Sequence, residues 1–274
     1  MDVIETYGRF EVQIRKHFKK TLISNIDNYV VKNFTVLIFM LKDSIEGLDN
    51  VFETDIPEGH VVMLLGMPGG FKSAFTHNLF SNYLNDHPKE FGVYLTLEES
   101  TESHLRNMSS LGIIPAKNLM ISDHTEIRNR FETNDPDHPD YLKMIQATTE
   151  YFKNEKGDNF KLFALDSLTA LFSLIEISQL RIKLYNFFKE LRNKNITSFI
   201  IVERPGFGEM VPISEDGSVS FLVDGIIVTG EVEVQQDVMI YMQVKKMRAT
   251  IHSRKKHIME VGDNGLNILG PIFE

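Results

Sequence analysis

Residues 60–73 read His60-Val61-Val62-Met63-Leu64-Leu65-Gly66-Met67-Pro68-Gly69-Gly70-Phe71-Lys72-Ser73. The first half is a short apolar run of the kind that forms a buried parallel strand. The second half combines three glycines with an adjacent lysine and serine, and residues 73–85 behind it have the spacing of a helix. A strand, a glycine-rich turn and a helix in this order predict a phosphate-binding loop in an α/β protein.

The loop has a definite chemistry. Phosphate binding requires successive backbone N–H groups that converge at the positive end of a helix, and glycine allows the close approach. Lys72 is expected to reach the β- and γ-phosphates of ATP, and the Ser73 hydroxyl to ligate Mg²⁺. The predicted nucleotide contacts are Gly66, Gly69, Gly70, Phe71, Lys72, Ser73 and Ala74. The alternative is a glycine-rich turn that binds nothing.

Strand-like and helix-like segments alternate after this loop. The further strand candidates are residues 92–96, 162–166 and 198–202, and the helical stretches are residues 103–111, 141–153 and 178–194. This alternation predicts a mostly parallel sheet with helices on both faces. Beyond residue 220, strand-like segments with short turns predict an antiparallel or mixed C-terminal extension of the same sheet, over residues 221–229, 237–247, 257–261 and 266–269.

The N-terminal segment has a different pattern. Phe10, Ile14, Phe18 and Leu22 are spaced four apart, which predicts an amphipathic helix over residues 8–30. We therefore expect residues 1–44 to form an N-terminal helical extension and residues 45–274 to form the main domain.

Carboxylates follow two of the predicted strands. Asp166 ends the strand over residues 162–166, so it is expected at the carboxyl edge of the sheet, where it would hold magnesium together with Ser73. Glu98 and Glu99 follow the strand over residues 92–96, and a carboxylate there would polarise the water that attacks the γ-phosphate. The alternative for the two glutamates is that they only begin a helix, where acids suit the helix dipole.

Two cations lie far along the chain, in the segment Val244-Lys245-Lys246-Met247-Arg248-Ala249-Thr250-Ile251-His252. Lys246 and Arg248 on a late strand are candidates to contact phosphates held by a neighbouring subunit. The alternative is a solvated strand edge protected by lysine.

Taken in order, these segments resemble the KaiC branch of the RecA superfamily, the family named for the circadian-clock ATPase. The resemblance runs from about Gly47 to Pro271. Its motifs are Gly47-Leu48-Asp49, Ile56-Pro57-Glu58-Gly59, residues 92–100, Leu165-Asp166-Ser167-Leu168-Thr169, Glu203-Arg204, Lys246-Met247-Arg248 with His252, and Asp263-Asn264-Gly265-Leu266. It implies a RecA-like P-loop fold that binds ATP and Mg²⁺.

The resemblance also implies roles for single residues. Glu98 and Glu99 become candidates to activate the attacking water, and Lys246 and Arg248 become phosphate contacts in trans. Thr250, His252 and Asp263 are expected to line the neighbour's side of the nucleotide. Nucleotide at subunit interfaces implies self-association into a ring, a hexamer.

Two positions depart from the family pattern. Phe71 stands where the family usually has the glycine before the lysine, and Ala249 replaces the glycine common after the arginine. A side chain at Phe71 restricts the backbone and crowds the nucleotide. Both departures are expected to affect hydrolysis more than binding.

Composition narrows the remaining possibilities. The chain has no cysteine, which excludes disulfides and thiolate chemistry, and a net charge of −9. No apolar run approaches the roughly 20 residues that a membrane span requires, and no secretory signal is recognisable, so a cytoplasmic location is expected. Residues 204–220 contain one arginine against Glu209, Glu215 and Asp216, so DNA is not expected as a partner.

Three functions remain open from the sequence. The first is an oligomeric ATPase that acts as a regulatory or signalling switch on a protein partner still unknown. The second is a nucleotide-dependent scaffold with little hydrolysis, similar to the archaellum-motor ATPase subunit. The third is a relative of the DNA recombinases.

Overall fold

The computed structural model describes residues 39–125, 140–173, 180–203, 219–234 and 236–272. The chain divides into two units, Met1–Met40 and Leu41–Glu274, and every helix and strand of the described ranges belongs to the second unit. The helix predicted over residues 8–30 and most of the segment 204–220 lie outside the described residues. The domain boundary at residue 44 stays a prediction.

A sheet of nine strands forms the centre of the described structure. The strands are β1 (Val61–Gly66), β2 (Phe91–Thr96), β3 (Leu119–Asp123), β4 (Phe160–Asp166), β5 (Thr197–Glu203), β6 (Gly225–Val234), β7 (Asp237–Met247), β8 (His257–Gly262) and β9 (Gly265–Pro271). Their order across the sheet is β3-β2-β4-β5-β1-β6-β7-β8-β9. The strands from β3 to β6 pair in parallel, and β6 to β9 pair antiparallel.

Five α-helices accompany the sheet in the described ranges. They are α1 (Lys72–Asp86), α2 (Thr101–Ser110), α3 (Tyr141–Lys156), α4 (Leu168–Ser173) and α5 (Leu180–Asn193), and short 3₁₀ turns occur at Leu41–Asp43, Leu48–Asn50 and Gly157–Asn159. The predicted α/β class, a mostly parallel sheet with a C-terminal antiparallel extension, is confirmed. No helix of the described ranges is both long enough and apolar enough to cross a bilayer.

Two apolar cores cover the two faces of the sheet. All six residues of β1 are buried, and alternate side chains point to opposite faces. Val62 and Leu64 pack in one core with α1, whereas Val61, Met63 and Leu65 pack in the other core with α3, α4 and α5. This burial on both faces explains the continuous apolar run in the sequence.

Some predicted elements differ from the structure. The strand predicted over residues 221–229 begins only at Gly225, because residues 219–222 form a turn. β3 and α4 are not predicted from the sequence pattern. β3 lies at the edge of the sheet and its Met120 is exposed, so it lacks the apolar run of a buried strand. α4 has only six residues, too few for a recognisable helical period.

The turn after β7 contains one of the two departures from the family pattern. Ala249 has φ of 51° and is exposed. A left-handed backbone costs a non-glycine residue about 1–2 kcal/mol, partly offset by the extra freedom of glycine in the unfolded chain. We expect Ala249→Gly to raise the free energy of unfolding by roughly 0.5–1 kcal/mol in urea denaturation. The matched control is exposed Ala147 within α3, where the same substitution should cost about 1 kcal/mol. Equal losses of unfolding free energy in the two variants would show that the backbone of Ala249 is not strained.

Candidate functional site

The candidate site lies where parallel strands end at one edge of the sheet. The glycine-rich loop follows β1, Glu98 and Glu99 follow β2, and Asp166 ends β4. Glu203 ends the next strand, β5, beside β1. In open α/β sheets, ligands bind outside the carboxyl ends of the strands. The structure therefore brings the predicted loop residues, Glu98, Glu99 and Asp166 to the edge where a ligand is expected.

Two glycines of the loop are required by a side chain on β6. A Cβ atom on Gly66 would lie 2.1 Å from Thr229 Oγ1, and one on Gly70 would lie 2.7 Å from the same atom. Thr229 is buried, and its hydroxyl has no hydrogen-bond partner within the described parts of the chain. The hydroxyl therefore sets how closely the loop approaches the sheet. Gly69 has φ of 82° and open space around it, at the exposed tip of the loop.

Phe71 immediately precedes α1 and has a left-handed backbone, with φ of 58°. This conformation explains why glycine is usual at the position, since a side chain there is strained. The ring is partly buried against the core that contains α1. No side chain of the described ranges caps the start of α1. Its first-turn N–H groups, including that of Ala74, are the kind that a phosphate satisfies.

Lys72 is buried, with 5% of its side chain exposed. Its Nζ donates to the carbonyl oxygen of Met67 at 2.7 Å and lies 3.7 Å from Glu203 Oε1. Burial lowers the pKa of Lys72, and the carboxylates of Glu203 and Asp166 oppose that shift. Burial likewise raises the pKa of Glu203, against the attraction of Lys72. The desolvation of both groups outweighs their mutual attraction, so added negative charge in the loop would stabilise the ammonium.

Ser73 and Asp166 lie together at the start of α1. Ser73 Oγ donates to Asp166 Oδ2 at 2.7 Å, and the hydroxyl of Tyr94 donates to the same oxygen at 2.6 Å. Burial raises the pKa of Asp166, while these two hydrogen bonds lower it. Hydroxyl and carboxylate oxygens are ligands that Mg²⁺ prefers, usually with phosphate oxygens and water completing the shell. The donor set therefore fits Mg²⁺.

Glu98 and Glu99 have different surroundings although they are adjacent. Glu98 is exposed, and its Oε1 accepts from Ser167 Oγ at 2.6 Å, beside Asp166. Glu99 accepts from His104 Nδ1 at 2.9 Å, from Ser103 Oγ at 3.1 Å and from Asn107 Nδ2 at 2.7 Å. Neither glutamate begins the helix, because Ser100 is the N-cap of α2. Glu98 is directed toward Ser167 and Asp166, and Glu99 toward α2.

Lys246 and Arg248 lie at the opposite edge of the sheet. In the sheet register, Met247 pairs with Gly225, which pairs with Val62 near the start of β1. The loop follows the end of β1, about 17 Å away at a rise of roughly 3.3 Å per residue. Within one chain these cations and the phosphate loop are therefore separated.

The two cations are held by local contacts. Lys246 Nζ donates to the carbonyl oxygens of Ser220 at 3.0 Å and Val223 at 2.6 Å, so it is not a solvated lysine of a strand edge. Arg248 Nη1 lies 2.9 Å from Asp224 Oδ1, and Arg192 Nε lies 2.7 Å from Asp224 Oδ2. The pKa of Asp224 lies below its ordinary value. Burial alone would raise this pKa, but the hydrogen bonds from the Val61 N–H and the two arginines outweigh the effect of burial. Asp224 thus fixes the direction of Arg248.

The remaining predicted contacts follow β7 or lie in the turn between β8 and β9. Thr250 Oγ1 donates toward the Arg248 carbonyl at 3.1 Å, and His252 Nδ1 lies 3.0 Å from the Thr250 carbonyl oxygen. Both residues follow β7, next to Lys246 and Arg248. Asp263 is exposed in the turn between β8 and β9, next to Gly112 after α2.

Several residues at the site were not anticipated as functional. Ser167 and Tyr94 contact Glu98 and Asp166, and Thr229 contacts the loop glycines. A signal for Ser167 was its position next to Asp166. Tyr94 lies within a strand whose residues are nearly all buried, which is typical of a core position, and Thr229 becomes relevant only through the pairing of β1 with β6.

A parallel sheet with a phosphate loop after β1, a carboxylate at the end of β4 and an antiparallel C-terminal extension defines a RecA-like P-loop ATPase. A family model described as "ATPase: KaiC" matches residues 41–271. The chain therefore belongs to the KaiC family of ATPases.

Known relatives fall into two groups. The circadian clock oscillator protein KaiC of Parasynechococcus marenigrum is 25% identical over 240 residues, which cover 83% of this chain and 44% of that protein. The chain thus spans less than half the length of the KaiC proteins it matches. A UPF0273 protein of Thermotoga maritima is 26% identical over 249 residues, covering 85% of this chain and 96% of the relative.

A solved structure gives the same result. The crystal structure of a KaiC-like protein from the hyperthermophilic archaeon Pyrococcus horikoshii superposes with a TM-score of 0.64 at 26% identity. The match covers 83% of this chain and 97% of the archaeal chain. The resemblance to the KaiC branch inferred from sequence motifs is confirmed.

Proposed function

We propose that the chain binds ATP with Mg²⁺ at the loop after β1 and hydrolyses it at sites that a neighbouring subunit completes, as a regulatory or signalling switch. The observation that supports this most is the convergence of Lys72, the Ser73–Asp166 pair and Glu98 at one edge of the sheet. Each supplies a part that phosphoryl transfer needs: a cation on the phosphates, a metal site and a carboxylate for water.

The loop residues would bind the triphosphate. The glycines and the uncapped start of α1 offer backbone N–H groups, and Lys72 would exchange its contact with the Met67 carbonyl for the β- and γ-phosphates. Ser73 and Asp166 would hold Mg²⁺, which neutralises charge that develops on the phosphates. Burial lowers the pKa of Lys72 despite the nearby Glu203 carboxylate, so a bound anion would stabilise its ammonium.

Glu98 is the better candidate to orient the attacking water. It is exposed beside Ser167 and Asp166, whereas Glu99 accepts three side-chain hydrogen bonds around the start of α2. The backbone N–H groups of Glu98 and Glu99 both donate to Thr96 Oγ1, at 3.3 and 3.2 Å. This shared acceptor fixes the two glutamates relative to each other.

Lys246 and Arg248 would act on the nucleotide of the adjacent subunit. Their position at the opposite edge of the sheet from the loop supports this arrangement, because they cannot reach the loop of their own chain without moving across the sheet. Thr250, His252 and Asp263 would line the same side of the neighbour's nucleotide. Sites shared in this way lead to a ring of subunits, which we propose to be a hexamer.

Subunit mixing tests the shared site. We expect Lys72→Met and Arg248→Ala each to abolish phosphate release alone. An equal mixture, denatured and refolded together, should recover about one quarter of the wild-type rate, because half of the subunits keep Lys72 and half of the neighbours keep Arg248.

The control for this experiment is Arg192→Ala, which removes the other partner of Asp224 without changing residue 248. Mixed with Lys72→Met, it should show only the activity of the Arg192→Ala subunits present. A mixture of the Lys72 and Arg248 variants that stays inactive while forming rings of normal mass would contradict the trans contact.

A second function, a nucleotide-dependent scaffold with little hydrolysis, is favoured by one observation. Phe71 places a ring in the phosphate loop, on a backbone that usually requires glycine. In that case nucleotide would bind and drive assembly while phosphate release stayed at the level of the Glu98→Gln variant.

A further inference from the structure

Two histidines are buried together beside the candidate site. His77 lies on α1 and His104 on α2, and both are fully buried. His77 Nδ1 lies 2.9 Å from His104 Nε2, and His104 Nδ1 lies 2.9 Å from Glu99 Oε1. The ring of Tyr94, whose hydroxyl donates to Asp166, lies 4.5 Å from the His104 ring. A continuous chain of hydrogen bonds thus links α1 to the carboxylate of Glu99.

The partners define where the protons are. A carboxylate only accepts hydrogen bonds, so His104 carries a proton on Nδ1. Burial lowers the pKa of His77 to about 3, so that ring is neutral and has one N–H. Its Nε2 is buried and has no partner among the described residues, and an unpaired acceptor is tolerated better than an unpaired N–H. His77 therefore donates from Nδ1 to Nε2 of His104, and His104 donates from Nδ1 to Glu99. Both hydrogen bonds are donated in the same direction, from His77 toward Glu99.

The series of hydrogen bonds joins two functional segments, which simple core packing would not require. α1 begins with Lys72 and Ser73 in the phosphate loop, and His77 follows a little more than one turn later. At the other end, Glu99 is tied through Thr96 to the backbone of Glu98. The pair therefore connects the helix that would bind the phosphates with the segment that carries both glutamates.

We propose that His104, held in place by His77, is a positioning residue for the Glu98–Glu99 segment and transmits occupation of the phosphate loop to it. The proposal rests on the proposed function, since it assigns the pair a part in hydrolysis at that site. The His104 ring is fully buried, so it would act by holding Glu99 and not by contacting the nucleotide. The two hydrogen bonds provide the physical link; the one between the histidines is buried and the one to Glu99 is partly buried.

Substitution separates positioning from packing. His104→Leu removes both hydrogen bonds and should lower kcat about tenfold with the affinity for ATP unchanged within twofold. His104→Asn keeps a donor near the position of Nδ1 and should recover kcat to within about threefold of wild type. His77→Leu, which leaves the contact with Glu99 in place, should fall between the two. A kcat unchanged in His104→Leu, or a loss not relieved in His104→Asn, overturns the positioning role.

Ring ¹⁵N spectra of the histidine-labelled protein give a second measurement that needs no turnover. The chain contains nine histidines, and His77 and His104 are assigned by the signals lost in the two leucine variants. We expect both rings as Nδ1–H tautomers, and both signals to shift on addition of a non-hydrolysable ATP analogue with Mg²⁺. An Nε2–H tautomer at either ring, or signals that stay fixed while the analogue binds, overturns the inference.

The two measurements distinguish a failure of the proposed function from a failure of this inference. If wild-type protein binds the analogue but releases no phosphate, ATP hydrolysis fails as the function and the ring signals still decide the link between loop and glutamates. If the analogue does not bind, the proposed nucleotide site itself is wrong, and the inference falls with it.

Discussion

Replacing Glu98 by glutamine is expected to lower the rate of phosphate release by about 10²–10³-fold while ATP affinity stays within a few-fold of wild type. The carboxylate is exposed beside the proposed Mg²⁺ site and accepts a hydrogen bond from Ser167. Glutamine has the same size and one accepting oxygen, so it preserves the contact with Ser167. Its amide is neutral and cannot polarise the attacking water or accept a proton from it. Single-turnover phosphate release and equilibrium binding of labelled ATP measure the two quantities separately.

Glu99→Gln is the matched control one residue away. Glu99 accepts from three side chains, and a glutamine NH₂ group would be directed at one of these donors. We expect a smaller loss of turnover and a loss of roughly 1–3 kcal/mol in the free energy of unfolding. The opposite ranking of turnover losses would make Glu99 the water-orienting residue. Equal phosphate release by wild type and Glu98→Gln would instead support the scaffold function.

Replacing Lys72 by methionine is expected to weaken ATP binding by about 100-fold and to abolish hydrolysis, since charge-assisted hydrogen bonds contribute roughly 1.5–3 kcal/mol each. Methionine retains most of the length of the lysine side chain, so packing changes little. Burial already lowers the pKa of Lys72, and we expect the unliganded variant to be at least as stable as wild type. Isothermal calorimetry with MgATP and urea denaturation measure the two effects.

The control is Lys161→Met on β4, where the lysine pairs with Glu58 away from the loop. It should leave ATP affinity unchanged within twofold. Retention of wild-type affinity in Lys72→Met would remove the basis for placing phosphates in this loop.

The sequence predicted the fold where local signals and burial agree. The apolar run of β1 is buried on both faces, so it shows no period-2 alternation and is recognisable as a central parallel strand. The glycines and Lys72-Ser73 follow at fixed spacing, and the strand ends place Asp166 and Glu98 beside them once the sheet is parallel. Spacing along the chain is sufficient for these residues because neighbouring parallel strands end at the same edge.

The remaining parts depend on contacts that spacing does not encode. His77 and His104 are 27 residues apart on two helices, and each alone reads as an ordinary core position. Glu98 contacts Ser167 and Glu99 contacts the side chains of α2. Two identical residues next to each other in the sequence give no sign of this difference. Thr229 and Asp224 become relevant only after the strand register places them against the loop glycines and Arg248.

Backbone conformation likewise does not follow from spacing, but it explains the two departures from the family pattern. Phe71 and Ala249, the positions where the family pattern has glycine, both have positive φ, at 58° and 51°. Glycine adopts such φ values without strain, so this chain carries the strain of a side chain at both points.

The placement of the loop and of Lys246 with Arg248 at opposite edges of one sheet has a consequence for symmetry. On the proposed arrangement, the contact joins two different surfaces, so it is heterologous. A dimer made by one such contact completes one site and leaves a second loop without cations. An arrangement that does not close extends into an open filament with an incomplete site at one end. Only cyclic symmetry completes as many sites as there are chains.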